Sequence, residues 1–173
     1  VKRMIGETFM EMVRRRGLDK VTVKDLVAEC GVSRQTFYYH FQDLMEVVEW
    51  AVQSRMDEAL ARSLEMGSER EVMKFFLTDA AENSQMISRM LNSQRREQME
   101  RILVDGVKGY LKALFRARHG GLALSQEDQE VALDFCACGL AGLIFRHCVN
   151  RSLDVDALAE RMCRLLSGEM FRR

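Results

Sequence analysis

Residues 21–41 read VTVKDLVAECGVSRQTFYYHF, and this stretch decides the fold. Thr22 with Asp25 three positions later is a helix-opening signature, so Val23, Leu26 and Val27 become the inner stripe of a short helix. Cys30-Gly31 ends it, because glycine accepts the left-handed backbone that closes a helix. After Gly31-Val32, Ser33 caps another short helix on which Phe37 and Phe41, four apart, point the same way. Two short helices about a four-residue, glycine-containing turn make a helix-turn-helix, whose second helix has the dimensions of the DNA major groove.

Outward from this motif the chain stays helical. Ile5, Phe9, Met12 and Val13 recur at helical spacing and mark one face of a first helix, closed by Arg14, Arg15, Arg16 and Gly17 with charges suited to a C-terminus. From Asp43 a long fourth helix runs to about Met66, and Gly67 stops it. Ser68 with Glu71 opens a fifth through Val72, Phe75, Phe76 and Ala80. Residues 83–92 and 94–119 give two more, the second with Met99, Ile102, Leu103, Val107, Tyr110, Leu111, Leu114 and Phe115 on one side and His119 at its end. Gly120-Gly121 is expected to be a flexible loop. Ser125 with Asp128 then opens a helix to about Val149 that is apolar almost all round. Asp154 caps a last one, with Val155, Leu158, Met162, Leu165 and Leu166 facing inward. With no proline to interrupt it, the chain is expected to be all-α, with about nine helices.

Composition narrows the function classes. The 173 residues are 47% hydrophobic and 30% charged with no net formal charge, which describes a soluble globular protein and not a disordered one. Residues 1–42 nevertheless hold eight basic and five acidic side chains, and the rest of the chain 18 and 21. That basic excess suits a polyanion partner and a mixed-charge surface about equally. No stretch approaches the roughly 20 apolar residues that cross a bilayer, and residues 1–7 lack the apolar core of a signal peptide, so a cytoplasmic protein without a membrane partner is expected.

Five cysteines (Cys30, Cys136, Cys138, Cys148, Cys163) show no metal-ligand spacing. Cys136 and Cys138 stand about 200° apart around a helix. Reduced, packed thiols are expected, with redox sensing at Cys30, beside the turn, as the alternative. No Ser-His-Asp set, carboxylate pair or phosphate loop occurs, so no enzymatic activity, cofactor or metal is expected.

The order T-V-x-D and a hydrophobic residue, then G-V-S, then T-F-Y-Y-H-F closely resembles the DNA-binding motif of the TetR family. The likeness extends to the first helix and to residues 43–50. Gly139, Leu140, Ala141, Gly142, Leu143, Ile144 and the final helix resemble the C-terminal region of a subgroup related to regulators of dihydroxyacetone kinase operons. The resemblance implies a helix-turn-helix DNA-binding domain over residues 1–45 and a helical dimerisation and ligand-binding domain over 46–173. It implies a homodimeric transcriptional repressor that binds a palindromic operator in double-stranded DNA and is released by a small-molecule effector. Two positions depart from the pattern: Leu44 stands where most members carry a phosphate-contacting lysine, and Val27 where a small alanine is commonest.

The chemistry of the motif agrees. Arg34, Gln35 and Thr36 lie at the N-terminal end of its second helix, where Arg pairs with guanine and Gln with adenine through two hydrogen bonds each. Tyr38, Tyr39 and His40 offer donors to phosphate oxygens, Thr22 and Lys24 do so from the preceding helix, and the cap Ser33 shares this surface. Packing is the alternative for Tyr38 and Tyr39, although neighbours 100° apart cannot both be buried on one face.

In the body, Trp50, Met56, Phe75, Phe76, Met86, Met90, Phe115 and Phe135 are candidates for an apolar ligand cavity, with ordinary core as the alternative. Arg146 and His147 suit an acidic ligand or an interface. Cys138, Gly139 and Gly142 admit close helix approach and, with Leu158, Met162 and Leu165, are expected to form a two-fold four-helix interface. A rival reading keeps the fold but acts as a co-activator or adaptor through protein contacts, favoured by Leu44 and the modest basic excess.

Overall fold

The computed structural model describes residues 1–120, 124–150, 154–167 and 169–171, side chains at 119, 148–150 and 171 excepted. Among these residues there are nine α-helices and no strand: α1 (Lys2–Arg16), α2 (Val23–Cys30), α3 (Arg34–His40), α4 (Leu44–Leu64), α5 (Glu69–Glu82), α6 (Ser84–Leu91), α7 (Arg96–His119), α8 (Gln126–Asn150) and α9 (Val155–Leu166). Single 3₁₀ turns occur at Leu18–Lys20 and Glu169–Phe171.

Side chains fix most of the helix starts. Thr22, Ser33, Asp43, Ser68 and Asp154 each accept a hydrogen bond from a backbone N–H of the first turn they precede. Ser125 does the same for Asp128 N at 3.1 Å. Each such cap is worth about 1 kcal/mol, because it satisfies a donor the helix itself cannot. Gly31 closes α2 in the left-handed conformation (φ 66°), and Val32 N reaches back to Val27 O at 3.0 Å. This closure turns the chain sharply into α3. Gly120 ends α7 likewise; Gly121 of the expected loop, the Cys148 thiol and the His119 ring lie outside the description.

Two apolar clusters carry the fold. The first joins Ile5, Phe9, Met12, Leu26, Phe37, Phe41 and Val47, all fully or almost fully buried, and continues into Met90 of α6 and Met99 and Ile102 of α7. The helix-turn-helix is thus packed directly on the body. The second gathers α5, α7, α8 and α9 around Leu77, Ala137, Leu140 and Ala159. Helix α4 belongs to both, with Val47, Val48 and Val52 in the first and Ala59 in the second. Close approach is needed where α1 meets α4: a Cβ on Gly6 would lie 2.3 Å from Trp50 Cζ3, so only glycine lets the indole lie flat there.

Polar joints set the register of the body helices. Ser63 in the last turn of α4 is fully buried and hydrogen-bonded to Tyr110 of α7 at 2.7 Å. Arg118 Nη2, in the last turn of α7, donates to Ser63 O (2.7 Å) and Met66 O (2.6 Å). Lys108 bridges α7 to Glu130 and Asp134 of α8, and Arg70 and Lys74 tie α5 to Glu160 and Asp156 of α9. Exposed ion pairs contribute about 0–1 kcal/mol each, so burial supplies the stability and these pairs the alignment.

One expectation about orientation fails. Leu165 and Leu166 are not buried against the body; they are 42% and 54% exposed. Leu166 continues the face of Ala159 and Met162, but there it borders an open cavity and not a covering helix. Leu165 stands one heptad beyond half-buried Leu158, on the outer side of α9.

Candidate nucleic-acid interface and cavities

Helix α3 is held by its ends and its buried rings. Phe37 is fully buried, and Phe41 packs against it at 6.0 Å and against Trp50 at 6.1 Å between centroids. Asp43 Oδ1 caps α4 by accepting from Met45 N (2.7 Å) and Glu46 N (2.9 Å), which pins the exit from α3. What remains of α3 faces outward. Ser33, Arg34 and Gln35 are exposed, Thr36 and His40 half-buried, and Tyr38 and Tyr39 are 58% and 83% exposed.

The polar groups on this face divide into engaged and available ones. Ser33 Oγ accepts from Thr36 N at 3.0 Å and shares a 2.8 Å hydrogen bond with Thr36 Oγ1, so both hydroxyls are committed to the cap. Thr22 is similarly occupied by Asp25, accepting from its N–H and donating to Oδ2 at 2.7 Å. That donation holds the Asp25 carboxyl below its usual range. Arg34, Gln35 and Lys24 make no hydrogen bond or ion pair among the described residues and project into solvent. The Tyr38 ring meets Phe37 edge-on at 5.3 Å and Tyr39 meets His40 at 5.0 Å; both phenol groups point outward.

The basic cluster at the end of α1 is compensated. Arg15 pairs with Glu29 of α2 at 2.7 Å, Arg16 approaches the same carboxylate at 3.9 Å, and Arg14 pairs with Glu11 at 3.3 Å. The Arg15 guanidinium accordingly holds the Glu29 carboxyl below its usual range. Sequence charge alone hides this, because Arg15 and Glu29 are 14 residues apart. Among the described residues the unpaired cations of the motif are Lys24 and Arg34, with Lys20 just before it. Leu44 is half-buried against the helix-turn-helix core.

Two cavities of about 700 Å³ each lie in the body. The first runs between α1 and α4 to α8, and five of the expected residues line it: Trp50, Met56, Phe76, Met86 and Met90. Its rim carries an Arg55–Asp79 pair. The second lies between α5, α7, α8 and α9 and is lined by Phe76 and Phe115 of the expected set. Phe75 and Phe135 border neither. Phe75 lies beneath the Arg62 guanidinium, 6.0 Å from its ring centre, and Phe135 is 75% exposed on the outside of α8.

That outside face is apolar and uncovered. Val131, Phe135, Cys138, Gly139 and Gly142 follow one another along it, and a Cβ on Gly139 or Gly142 would meet nothing within 4 Å. Leu158 and Leu165 lie half-buried and exposed on α9, whereas Met162 is buried in the chain's own core. Arg146 is exposed and His147 half-buried. Cys30 and Cys163 are half-buried, as is Cys136, and burial raises the pKa of Cys136 and Cys163. Among the described residues no helix is long and apolar enough to cross a membrane, and no three side chains of His, Cys, Asp or Glu gather to hold a metal.

Comparison with known proteins bears on both halves of the chain. The profile of bacterial regulatory proteins of the tetR family matches residues 7–48, and that of a transcriptional regulator C-terminal region matches residues 70–168. No curated protein sequence matches the chain. Among solved structures, a Listeria innocua protein is similar over 98% of this chain and 92% of its own, with a TM-score of 0.75 at 16% identity. The dihydroxyacetone kinase operon activator DhaS is similar over 97% and 94%, with a TM-score of 0.64 at 14% identity. The fatty acid degradation regulator FadR from Bacillus halodurans gives 95% and 96%, 0.58 and 15%. At such identities the likeness is one of fold.

Proposed function

The chain belongs to the TetR family of bacterial transcriptional regulators, and on that premise we propose that it binds a palindromic operator as a homodimer and represses transcription until a small molecule releases it. Residues 1–45 are the DNA-binding unit and 46–173 the dimerisation and effector-binding unit. The observation that carries the reading is the outer face of α3: Arg34 and Gln35 stand exposed and unengaged at the N-terminal end of a helix locked at both ends. Long polar side chains on a rigid, protruding helix are what base-edge recognition requires. Lys24, Tyr38, Tyr39 and His40 flank them as phosphate donors, with the Ser33, Thr36 and Thr22 hydroxyls serving chiefly to hold the two helices in place.

The uncovered face of α8 supports the dimer. A helix cannot leave Val131 and Phe135 in water along a strip of small residues without cost, and a two-fold partner covers such a strip with its own copy. The first cavity is the effector site, since it touches α1, which packs against α2, and α4, whose Trp50 packs against Phe41 at the end of α3. No step of this activity is enzymatic. Selection of bound sequences from a random DNA pool tests the proposal: a palindrome with two half-sites about one helical turn apart is expected, and a pool without enrichment refutes it.

The compensation of Arg14, Arg15 and Arg16 by Glu11 and Glu29 favours one second reading, a co-activator or adaptor that acts through protein contacts. A gel shift with upstream DNA separates the two, because the adaptor shows no specific binding alone.

A further inference from the structure

We propose that the second cavity, between α5, α7, α8 and α9, binds an apolar monocarboxylate, and that Arg118 receives its acid group. The cavity is separate from the first, with which it shares only Phe76 among the described residues. Its volume of about 700 Å³ lies within the range of small-molecule sites. Met73, Leu111, Leu114, Phe115 and Leu140 give it walls suited to hydrocarbon.

One buried charge breaks that apolar lining. The Arg118 side chain is 15% exposed, its Nη2 is spent on the Ser63 and Met66 carbonyls, and its Nη1 lies 3.8 Å from Glu69. Its Nε is buried with no acceptor among the described residues. A buried donor without an acceptor is unfavourable, and a carboxylate offers a guanidinium two oxygens in matching geometry. The remaining wall charges balance in number: Arg70 pairs with Glu160 at 2.9 Å, and the lining also holds Arg164 and Glu169. No general positive field therefore selects an anion. Selection rests on the one guanidinium.

The same guanidinium caps the end of α4. A carboxylate drawn to Arg118 competes with the Ser63 and Met66 carbonyls for its N–H groups, and Tyr110, also in the cavity wall, holds the Ser63 hydroxyl. Occupancy thus changes the contacts of the last turn of α4, whose first turns carry Trp50 against Gly6. A ligand shifts a conformation only through contacts that differ between states, and the Arg118 hydrogen bonds are such contacts.

The test needs no DNA, so it stands or falls apart from the operator reading. Decanoate and 2-naphthoate, each with its alcohol as the uncharged counterpart, are titrated into the full chain by calorimetry and by the emission of its single tryptophan, Trp50. Saturable binding of at least one acid is expected, tenfold or more tighter than its alcohol, with a shift in Trp50 emission. Arg118→Gln removes the preference for acid over alcohol. Ala132→Phe, which puts a ring into the cavity from α8 and leaves the guanidinium in place, weakens acid and alcohol alike, and circular dichroism checks that both variants remain folded. Failure of both acids to bind, equal affinity for acid and alcohol, or full binding by Ala132→Phe overturns the site. Binding that leaves Trp50 emission unchanged overturns the link to α4.

Discussion

Helices α3 and α8 both leave side chains uncovered, with opposite chemistry. On α3 the uncovered groups are Arg34, Gln35, Tyr38 and Tyr39, and the apolar residues Phe37 and Phe41 turn inward. On α8 the inner face is apolar through Leu133, Ala137, Leu140 and Ile144, and so is much of the outer face. A solvated polar face costs nothing to leave open, so its interest lies in what the donors are aimed at. A solvated apolar face has a standing cost, so its interest lies in what covers it. The two helices thus ask for different partners by different physics.

That contrast is open to attack at several points. The largest effect is expected from Gly142→Leu. Because a Cβ there meets nothing within 4 Å, the variant leaves the single chain intact and its helix content unchanged. Overfilling a packed interface costs about 1–3 kcal/mol, hence about 5- to 150-fold in dimer affinity. Sedimentation should show monomer at concentrations where the parent is dimeric, with operator affinity lost in step. A dimer that persists and binds normally removes α8 from the interface.

Next come Arg34→Ala and Gln35→Ala, each expected to cost about 1–3 kcal/mol on the preferred operator and to change the base selected at one position per half-site. Equal weakening on every sequence would remove base reading from those residues. Smaller in its effect on base preference is Tyr39→Phe, which deletes a charge-assisted hydrogen bond to a phosphate worth about 1.5–3 kcal/mol and should weaken all sequences alike. A changed consensus would make Tyr39 a base reader.

The smallest concerns the inner side of α8. Lys108 and Lys112 hold the Glu130 carboxyl down from the usual 4.5 to about 2, while Glu130 and Asp134 raise Lys108 above its usual 10.5. A depressed acid contributes stability that is fully present above its unfolded pKa and lost as pH falls through the folded one. A raised base contributes below its unfolded pKa and loses that as pH rises. The clasp therefore holds between about pH 4.5 and 10.5. The melting-temperature gap between the parent and Glu130→Gln should shrink as pH falls from 4.5 towards 2, and a constant gap would show that Glu130 is unpaired in solution.

Local signals in the sequence made the helices legible. Thr22, Ser33, Asp43, Ser68, Ser125 and Asp154 act within three residues of themselves, so the starts of α2, α3, α4, α5, α8 and α9 can be read without knowing the fold. The buried stripe of α7 follows from periodicity in the same way. What was not legible depends on distant partners. Ser63 meets Tyr110 across 47 residues and Arg118 across 55, and no pattern in either neighbourhood announces it. Periodicity placed Leu166 on the inner face of α9, but not the cavity that face meets there. Likewise Phe75 and Phe135 have the composition of cavity residues, and only packing shows that neither borders one. On α3, sequence offered Thr36 as a base reader equal to Arg34, whereas its hydroxyl is occupied by Ser33.

Helix α4 is anchored at one end by the Trp50 indole over Gly6 and at the other by Ser63, Tyr110 and Arg118. Its 21 residues make a rod of about 32 Å at 1.5 Å per residue. A tilt of about 5° imposed at the Arg118 end sweeps the other end through about 3 Å, more than an N–H···O hydrogen bond tolerates. In the proposed two-fold pair both rods would swing together, changing the distance between the two α3 helices by up to about 6 Å against a half-site spacing of about 34–36 Å. On that proposal the rod would convert an ångström-scale exchange of hydrogen bonds into a change of gauge that a fixed operator does not follow.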